Sequence, residues 1–167
     1  MNVFLDKHLQ LVNKNNIIEI KLGAMLSNNI FNGSIKYDII KKIIKCINDT
    51  YPHKYRSFQK KTYCKRNEEI SISNNEICYS ILNNKFVCFE DNLMLIKTDI
   101  KCDSIIIPSY ESFDHIKNHE IIEFTINKMF ICNITLEDGQ YYVNLVIYKP
   151  CNRTLLDEFI HTITNLH

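Results

Sequence analysis

Met129-Phe130-Ile131-Cys132-Asn133-Ile134-Thr135-Leu136-Glu137-Asp138-Gly139-Gln140-Tyr141-Tyr142-Val143-Asn144-Leu145-Val146-Ile147-Tyr148-Lys149 is two alternating runs joined by Asp-Gly. Apolar and polar side chains taking turns is the period of a half-buried strand, and Asp-Gly supplies the positive φ angles that a two-residue hairpin turn requires. The stretch therefore predicts an antiparallel hairpin from Met129 to Glu137 and from Gln140 to Lys149. Upstream, short runs with strand character follow one another: Ile17 to Leu22, Gln59 to Arg66, Glu69 to Ser73, Glu76 to Leu82, Lys85 to Phe89, Leu93 to Thr98 and Asp103 to Ile107, the last stopped by Pro108. Asn-Asn or acidic turns separate several of them. Segment 109 to 123 is open between a loop, a short helix and a strand.

Three segments have helical periodicity. Val3 to Asn13 places Phe4, Leu5, Leu9 and Val12 on one face. Ser34 to Asn48 carries a stripe of Ile35, Ile39, Ile40, Ile43, Ile44 and Ile47 with lysines opposite, and Ser34 is a candidate N-cap. Asn152 can cap a last helix that turns Leu155, Leu156, Phe159, Ile160 and Ile163 inward, with Asp157 and Glu158 in its early turns, where the dipole favours acids. The connections between strands are mostly too short for crossover helices. An α+β fold follows, an antiparallel sheet of about eight strands curling into a tunnel-like β-barrel with flanking helices.

The chain has 167 residues, 46% hydrophobic and 23% charged, which suits one domain spanning residues 1 to 167. Its three glycines leave no Gly-rich phosphate loop and so exclude Walker-type and Rossmann nucleotide binding. Seven cysteines, none in a C-x-x-C pair, indicate free thiols in a reducing compartment and give no structural zinc spacing. Met1-Asn2-Val3-Phe4-Leu5-Asp6-Lys7 does not read as the apolar h-region of a secretory signal, and no apolar run approaches a membrane span. A net charge of +1 means that any anion binding must come from a local cluster.

Three clusters are candidates. In Glu19-Ile20-Lys21-Leu22-Gly23, strand spacing puts Glu19 and Lys21 on one face and Ile18, Ile20 and Leu22 on the other. A closed barrel turns that polar pair inward toward a phosphate or metal; an open sheet leaves it a solvated ion pair. The stretch His53 to Arg66 holds Lys54, Arg56, Lys60, Lys61, Lys65 and Arg66 without an acid, and supplies cations either to a polyphosphate or RNA backbone or to a solvated edge strand. His115 and His119, followed by Glu120 and Glu123, suit zinc only on a helix, and otherwise are surface side chains. At strand spacing Glu120 and Glu123 point to opposite faces.

Glu19-Ile20-Lys21-Leu22-Gly23, then Phe31-Asn32-Gly33-Ser34-Ile35 and an amphipathic helix, resembles the start of the fungal and viral metal-dependent RNA 5′-triphosphatases of mRNA capping, the triphosphate tunnel metalloenzymes. Asn133-Ile134-Thr135 sits where that family has an Asp-Leu-Thr step, and Tyr141 to Ile147 where it has a last strand of alternating glutamates. Lys101 to Asp114, with Pro108, loosely resembles a Pro-to-Asp segment of the fungal members. The resemblance implies an eight-stranded antiparallel tunnel, Mg²⁺ or Mn²⁺, and removal of the γ-phosphate from 5′-triphosphate RNA. It implies Glu19 as metal ligand, Lys21 beside it as a catalytic cation, and Lys60, Lys61, Lys65, Arg66 and Lys97 as holders of the triphosphate. A capping guanylyltransferase is the implied partner, and the nucleus, or the cytoplasm for a viral transcript, the implied compartment. Ile17, Tyr142, Asn144 and Val146 stand where the family has glutamates. Those departures imply one of two states: a site completed by other acids among Glu68, Glu69, Glu76, Glu120 and Glu123, or a tunnel without its metal that works as a binding subunit. An unrelated strand-rich interaction protein is the remaining alternative.

Overall fold

The computed structural model describes residues 3–13, 15–102 and 109–167. In chain order the elements are α1 (Val3–Leu9), β1 (Asn16–Leu22), the short strands β2 (Ala24–Met25), β3 (Phe31–Asn32) and β4 (Ser34–Ile35), then α2 (Tyr37–Thr50), β5 (His53–Lys65), β6 (Glu68–Ser73), β7 (Glu76–Glu90), β8 (Leu93–Cys102), a 3₁₀ turn (Tyr110–Ser112), β9 (His115–Ile126), β10 (Phe130–Glu137), β11 (Gln140–Ile147) and α3 (Arg153–Thr164). The main sheet runs β1-β8-β7-β6-β5-β9-β10-β11, and β11 pairs back onto β1. Eight antiparallel strands therefore close on themselves, with β4 added beside β11. The closing ladder aligns Ile18 with Ile147, Glu19 with Val146, Ile20 with Leu145 and Lys21 with Asn144. This is the antiparallel barrel that the sequence predicts.

The tight turns explain how a chain with so few glycines builds hairpins. Asn74 and Asn75, Asn127 and Lys128, and Asp138 and Gly139 all have positive φ, in the pairs that join β6 to β7, β9 to β10 and β10 to β11. Asn and Asp tolerate this region because their short polar side chains bond locally. The Asp138-Gly139 hairpin forms as the sequence predicts, with Glu137 opposite Gln140.

The hydrophobic core lies outside the barrel. Ile18, Ile20 and Leu22 of β1, Phe130, Cys132 and Ile134 of β10, and Val143, Leu145 and Ile147 of β11 point away from the lumen. They meet Ile40, Ile43 and Ile47 of α2 and Leu156, Phe159, Ile160 and Ile163 of α3. Each fully buried side chain of this kind contributes roughly 1.5–3 kcal/mol. Alternation then leaves the opposite face of the same strands, where polar side chains mix with Ile17, Ile131 and Val146, to line the lumen. No helix among the described residues is long and apolar enough to cross a membrane.

Several boundaries differ from the sequence expectation. Ser34 lies in β4; the N-cap of α2 is Lys36, which makes no side-chain cap bond. Asn152 does cap α3, its side chain accepting from the Leu155 N–H. Asn83-Asn84 is not a turn: β7 runs through it with a register shift between Leu82 and Asn84, a bulge in one strand. The open segment 109 to 123 becomes the 3₁₀ turn and most of β9, which leaves His115 and His119 on a strand and removes the helical zinc clasp. The expected strand from Asp103 to Ile107, with Pro108, lies outside the described residues.

Candidate functional site

The lumen contains a cavity of about 670 Å³. Glu19 and Lys21 of β1 line it, together with Lys60, Thr62 and Cys64 of β5, Glu69 of β6, Lys117 and His119 of β9, Asn133, Thr135 and Glu137 of β10, and Tyr142 and Asn144 of β11. The strand order makes this an enclosure with opposed walls. β5 stands four places from β1 in either direction around the barrel, so Lys60 faces the β1 wall across the lumen. Lys117 comes from the strand beside β5, and Thr62 pairs with it in register.

One wall gathers ionisable side chains. His119 Nδ1 lies 3.3 Å from Glu137 Oε2, without hydrogen-bond geometry. Burial lowers the His119 pKa, Glu137 and Glu69 oppose that, and Lys60 and Lys117 add to it. The neutral imidazole is thus favoured near neutral pH. Burial raises the Cys64 pKa, so its thiol is no thiolate nucleophile there. Asn133 Oδ1 is buried in the same cavity wall without a hydrogen-bond partner among the described residues, an acceptor that a bound hydroxyl or water would satisfy.

The residues anticipated from sequence divide by face. Glu19, Lys21 and Lys60 line the cavity. Lys61, Lys65, Arg66 and Lys97 do not. Lys61 projects to the opposite face of β5 from Lys60, with its ammonium 5.7 Å from the Tyr63 ring centroid. Lys65 ends β5 opposite Glu68, and Arg66 sits in the turn that follows, at φ 44°. Lys97 is aligned with Ile18, whose side chain is in the outer core, so it too is on the outside; it pairs with Asp99 at 3.2 Å and covers Phe86. Strand parity is the reason in each case, because one residue of offset exchanges lumen for exterior.

Among the other acids, Glu69 lines the cavity. Glu123 is held by Arg56 at 3.0 and 3.3 Å, Glu68 accepts from the Tyr79 hydroxyl, and Glu76 and Glu120 are exposed. Lys117, Glu137 and Thr62 are lumen groups that the sequence does not single out, and His119, a zinc or surface residue on sequence, is another. Alternation along 115–123 carries the signal for Lys117 and His119, once that segment is a strand.

No protein-family profile matches the chain, and no curated protein sequence matches it either. Solved structures do. The RNA triphosphatase domain of a trifunctional mimivirus mRNA capping enzyme superimposes with a TM-score of 0.67 at 11% identity, over 98% of this chain and 94% of that one. A monoclinic form of the mimivirus capping enzyme triphosphatase gives 0.71 at 11% identity, with the same coverage. The S. pombe Pct1 RNA triphosphatase, in complex with the Spt5 CTD, gives 0.60 at 11% identity, over 95% of this chain and 80% of that one. The chain has the RNA triphosphatase fold. The resemblance first carried by Glu19 to Gly23 and by Asn133 to Ile147 therefore extends over nearly the whole barrel.

The triphosphatase fold raises the question of a divalent metal, and the side chains here do not fit a resident one. Hard cations take several oxygen ligands. Around Glu19, the inward positions are Ile17 on its own strand, Val146 on β11 and Ile96 on β8. Among the described residues no group of three or more His, Cys, Asp or Glu side chains is placed to hold a metal ion. The lumen instead offers three lysines and three glutamates drawn from several strands.

Proposed function

We propose that the lumen receives the 5′-triphosphate end of RNA, which makes this chain a divergent triphosphatase-like protein of mRNA capping. The observation that carries this is the opposition of Lys21 and Lys60: two cations from opposite strands of the barrel, with Lys117 beside the second, facing one lumen. A phosphate chain between them exchanges hydration for charge-assisted hydrogen bonds, each contributing about 1.5–3 kcal/mol.

Two outcomes are open to a triphosphate held there. Glu19 favours hydrolysis: it is the lumen carboxylate two residues from Lys21, able to take a proton from water as that water attacks the γ-phosphorus. The bond to the β–γ bridging oxygen breaks, orthophosphate leaves and a diphosphate end remains, with the lysines offsetting charge on the phosphoryl oxygens. Ile17, Tyr142, Asn144 and Val146 favour retention without turnover, as a binding subunit, because the carboxylates that would hold a catalytic metal are missing. A capping guanylyltransferase, which acts on the diphosphate end, is the partner that the first outcome calls for. The nucleus, or the cytoplasm for a viral transcript, is the corresponding compartment.

One experiment separates these. Binding of triphosphate-ended and monophosphate-ended RNA is measured alongside orthophosphate release, with Mg²⁺ or Mn²⁺ present. Preferential binding of the triphosphate end, weakened by Lys21→Ala and by Lys60→Ala, supports the proposal. Release that disappears in Glu19→Gln selects hydrolysis, and binding without release selects retention. Equal affinity for both RNA ends overturns the proposal.

A further inference from the structure

The mouth of the lumen beside Lys21 is aromatic. Lys21 aligns with Met94 across β1 and β8, and Met94 with Phe89 across β8 and β7. Residues in register share a face, so Phe89 belongs to the lumen side, two strand spacings from Lys21, or roughly 10 Å. It is nonetheless 48% exposed. The ring of Phe31 lies 6.0 Å from that of Phe89, tilted by 41°. A β-carbon placed on Gly33, which lines the cavity, would stand 3.5 Å from Phe31 Cε1 and 3.6 Å from Tyr142 Cδ1. Phe31 therefore packs beside Phe89 and next to Gly33 of the cavity wall, where Tyr142 is also close.

An exposed phenylalanine on the outer face of a sheet is commonplace, and Phe86 on the same strand is one, covered in part by Lys97. Phe89 differs in facing the lumen, at the end where Lys21 stands. Apolar rings beside a cationic cavity suit a ligand that is anionic at one end and flat at the other. Single-stranded nucleic acid has that form, because every base offers a π-face whatever its sequence.

We propose that Phe31 and Phe89 stack the first base of an RNA whose triphosphate lies in the lumen, and so set preference for RNA over inorganic polyphosphate. This rests on the reading of the lumen as a triphosphate site. It adds the element that recognises what the triphosphate is attached to.

The test compares dissociation constants for short triphosphate-ended RNA and for inorganic triphosphate, with the whole chain. Phe89→Ala is expected to weaken RNA binding roughly 10-fold, within the range of base stacking on an aromatic ring, and to leave inorganic triphosphate unchanged. Phe89→Leu, which keeps apolar bulk without a π-face and guards against loss of fold, weakens RNA in the same way. Phe86→Ala changes neither ligand. Equal weakening of both ligands by Phe89→Leu, or unchanged RNA binding, overturns the stacking inference. A wild-type protein that binds inorganic triphosphate as tightly as RNA also overturns it while sparing the lumen reading. Binding of neither ligand removes both.

Discussion

A β-carbon added at Gly23 would stand 2.3 Å from the Asn32 carbonyl oxygen and 2.6 Å from Phe31 Cζ, and the first of these atoms is backbone and cannot swing aside. The β2–β3 segment is thus laid directly on the end of β1. Gly23→Ala is expected to lower stability by about 1–3 kcal/mol, read by denaturant titration. Gly33→Ala, whose nearest contacts are ordinary van der Waals distances, is expected to be near neutral. His119 gives a second prediction at this scale. Burial lowers its pKa from 6.5, and the groups around it are Glu137, Lys60, Lys117 and Glu69. As pH falls through about 6.5 the unfolded chain takes up a proton that the folded imidazole refuses, so stability drops toward acid and is fully present above that window. His8, also lowered chiefly by burial, acts in the same direction. His119→Gln should therefore flatten, without abolishing, the stability loss between about pH 7 and pH 5; an unchanged slope would sink this account. Glu19 and Lys21 were legible in sequence because their neighbours Ile18, Ile20 and Leu22 fix the parity of the strand. Lys97 was not, because its own neighbours, Ile96 and Thr98, are buried as well and hide which face is the core.

At the scale of elements, the two longer helices begin differently. Asn152 Oδ1 accepts from the Leu155 N–H at 3.2 Å, so Asn152→Ala is expected to cost about 1 kcal/mol. Ser34, the cap suggested by sequence for α2, is in β4, and its replacement by alanine should cost none of that capping energy. Thermal melts of the two variants decide it: equal destabilisation would mean that Ser34 caps after all. The stripe of α2 was readable since Ile40, Ile43 and Ile47 follow helical spacing, but its start was not. The chain enters α2 through an extended Lys36 with no side-chain bond to mark the boundary. Composition splits β7 into two strands because Asn83-Asn84 has the make-up of a turn; the structure uses the pair as a bulge, a distinction composition cannot make. β9 was hidden for another reason. His115-Ile116-Lys117-Asn118-His119 has a single apolar residue, Ile116, which is 56% exposed, so this end of the strand carries no core signal. The strongest short-range signal, Asp138-Gly139, places the turn where the structure has it because both residues take the positive φ that the turn needs, while the outer ends of the hairpin are shorter than expected, with Met129, Tyr148 and Lys149 outside the strands.

For the whole molecule, closure of the barrel sorts one basic population into two. Before closure, Lys60 and Lys61 are neighbours in a single run of cations; after it, one lines the lumen and the other faces outward. The same closure places Lys21 opposite Lys60 and brings in Lys117 from a segment far away in sequence. If the lumen holds a phosphate chain, affinity must follow this geometry and not total charge. Lys21→Ala, Lys60→Ala and Lys117→Ala are each expected to weaken triphosphate-ended RNA about 10-fold or more, the loss of one charge-assisted hydrogen bond. Lys61→Ala and Lys97→Ala remove the same charge outside the lumen and should stay within about twofold, Lys61 because an exposed charge is screened and Lys97 because it is already paired with Asp99. Binding should also persist in EDTA, since the described side chains form no metal cluster and the cations contacting phosphate are lysines. Titrations of the five variants at one salt concentration, repeated with chelator, check all of this together. Equal losses from lumen and exterior lysines would reduce the effect to nonspecific attraction, and affinity abolished by EDTA and restored by Mg²⁺ would mean that Glu19 shares with phosphate oxygens an ion that these side chains cannot hold alone.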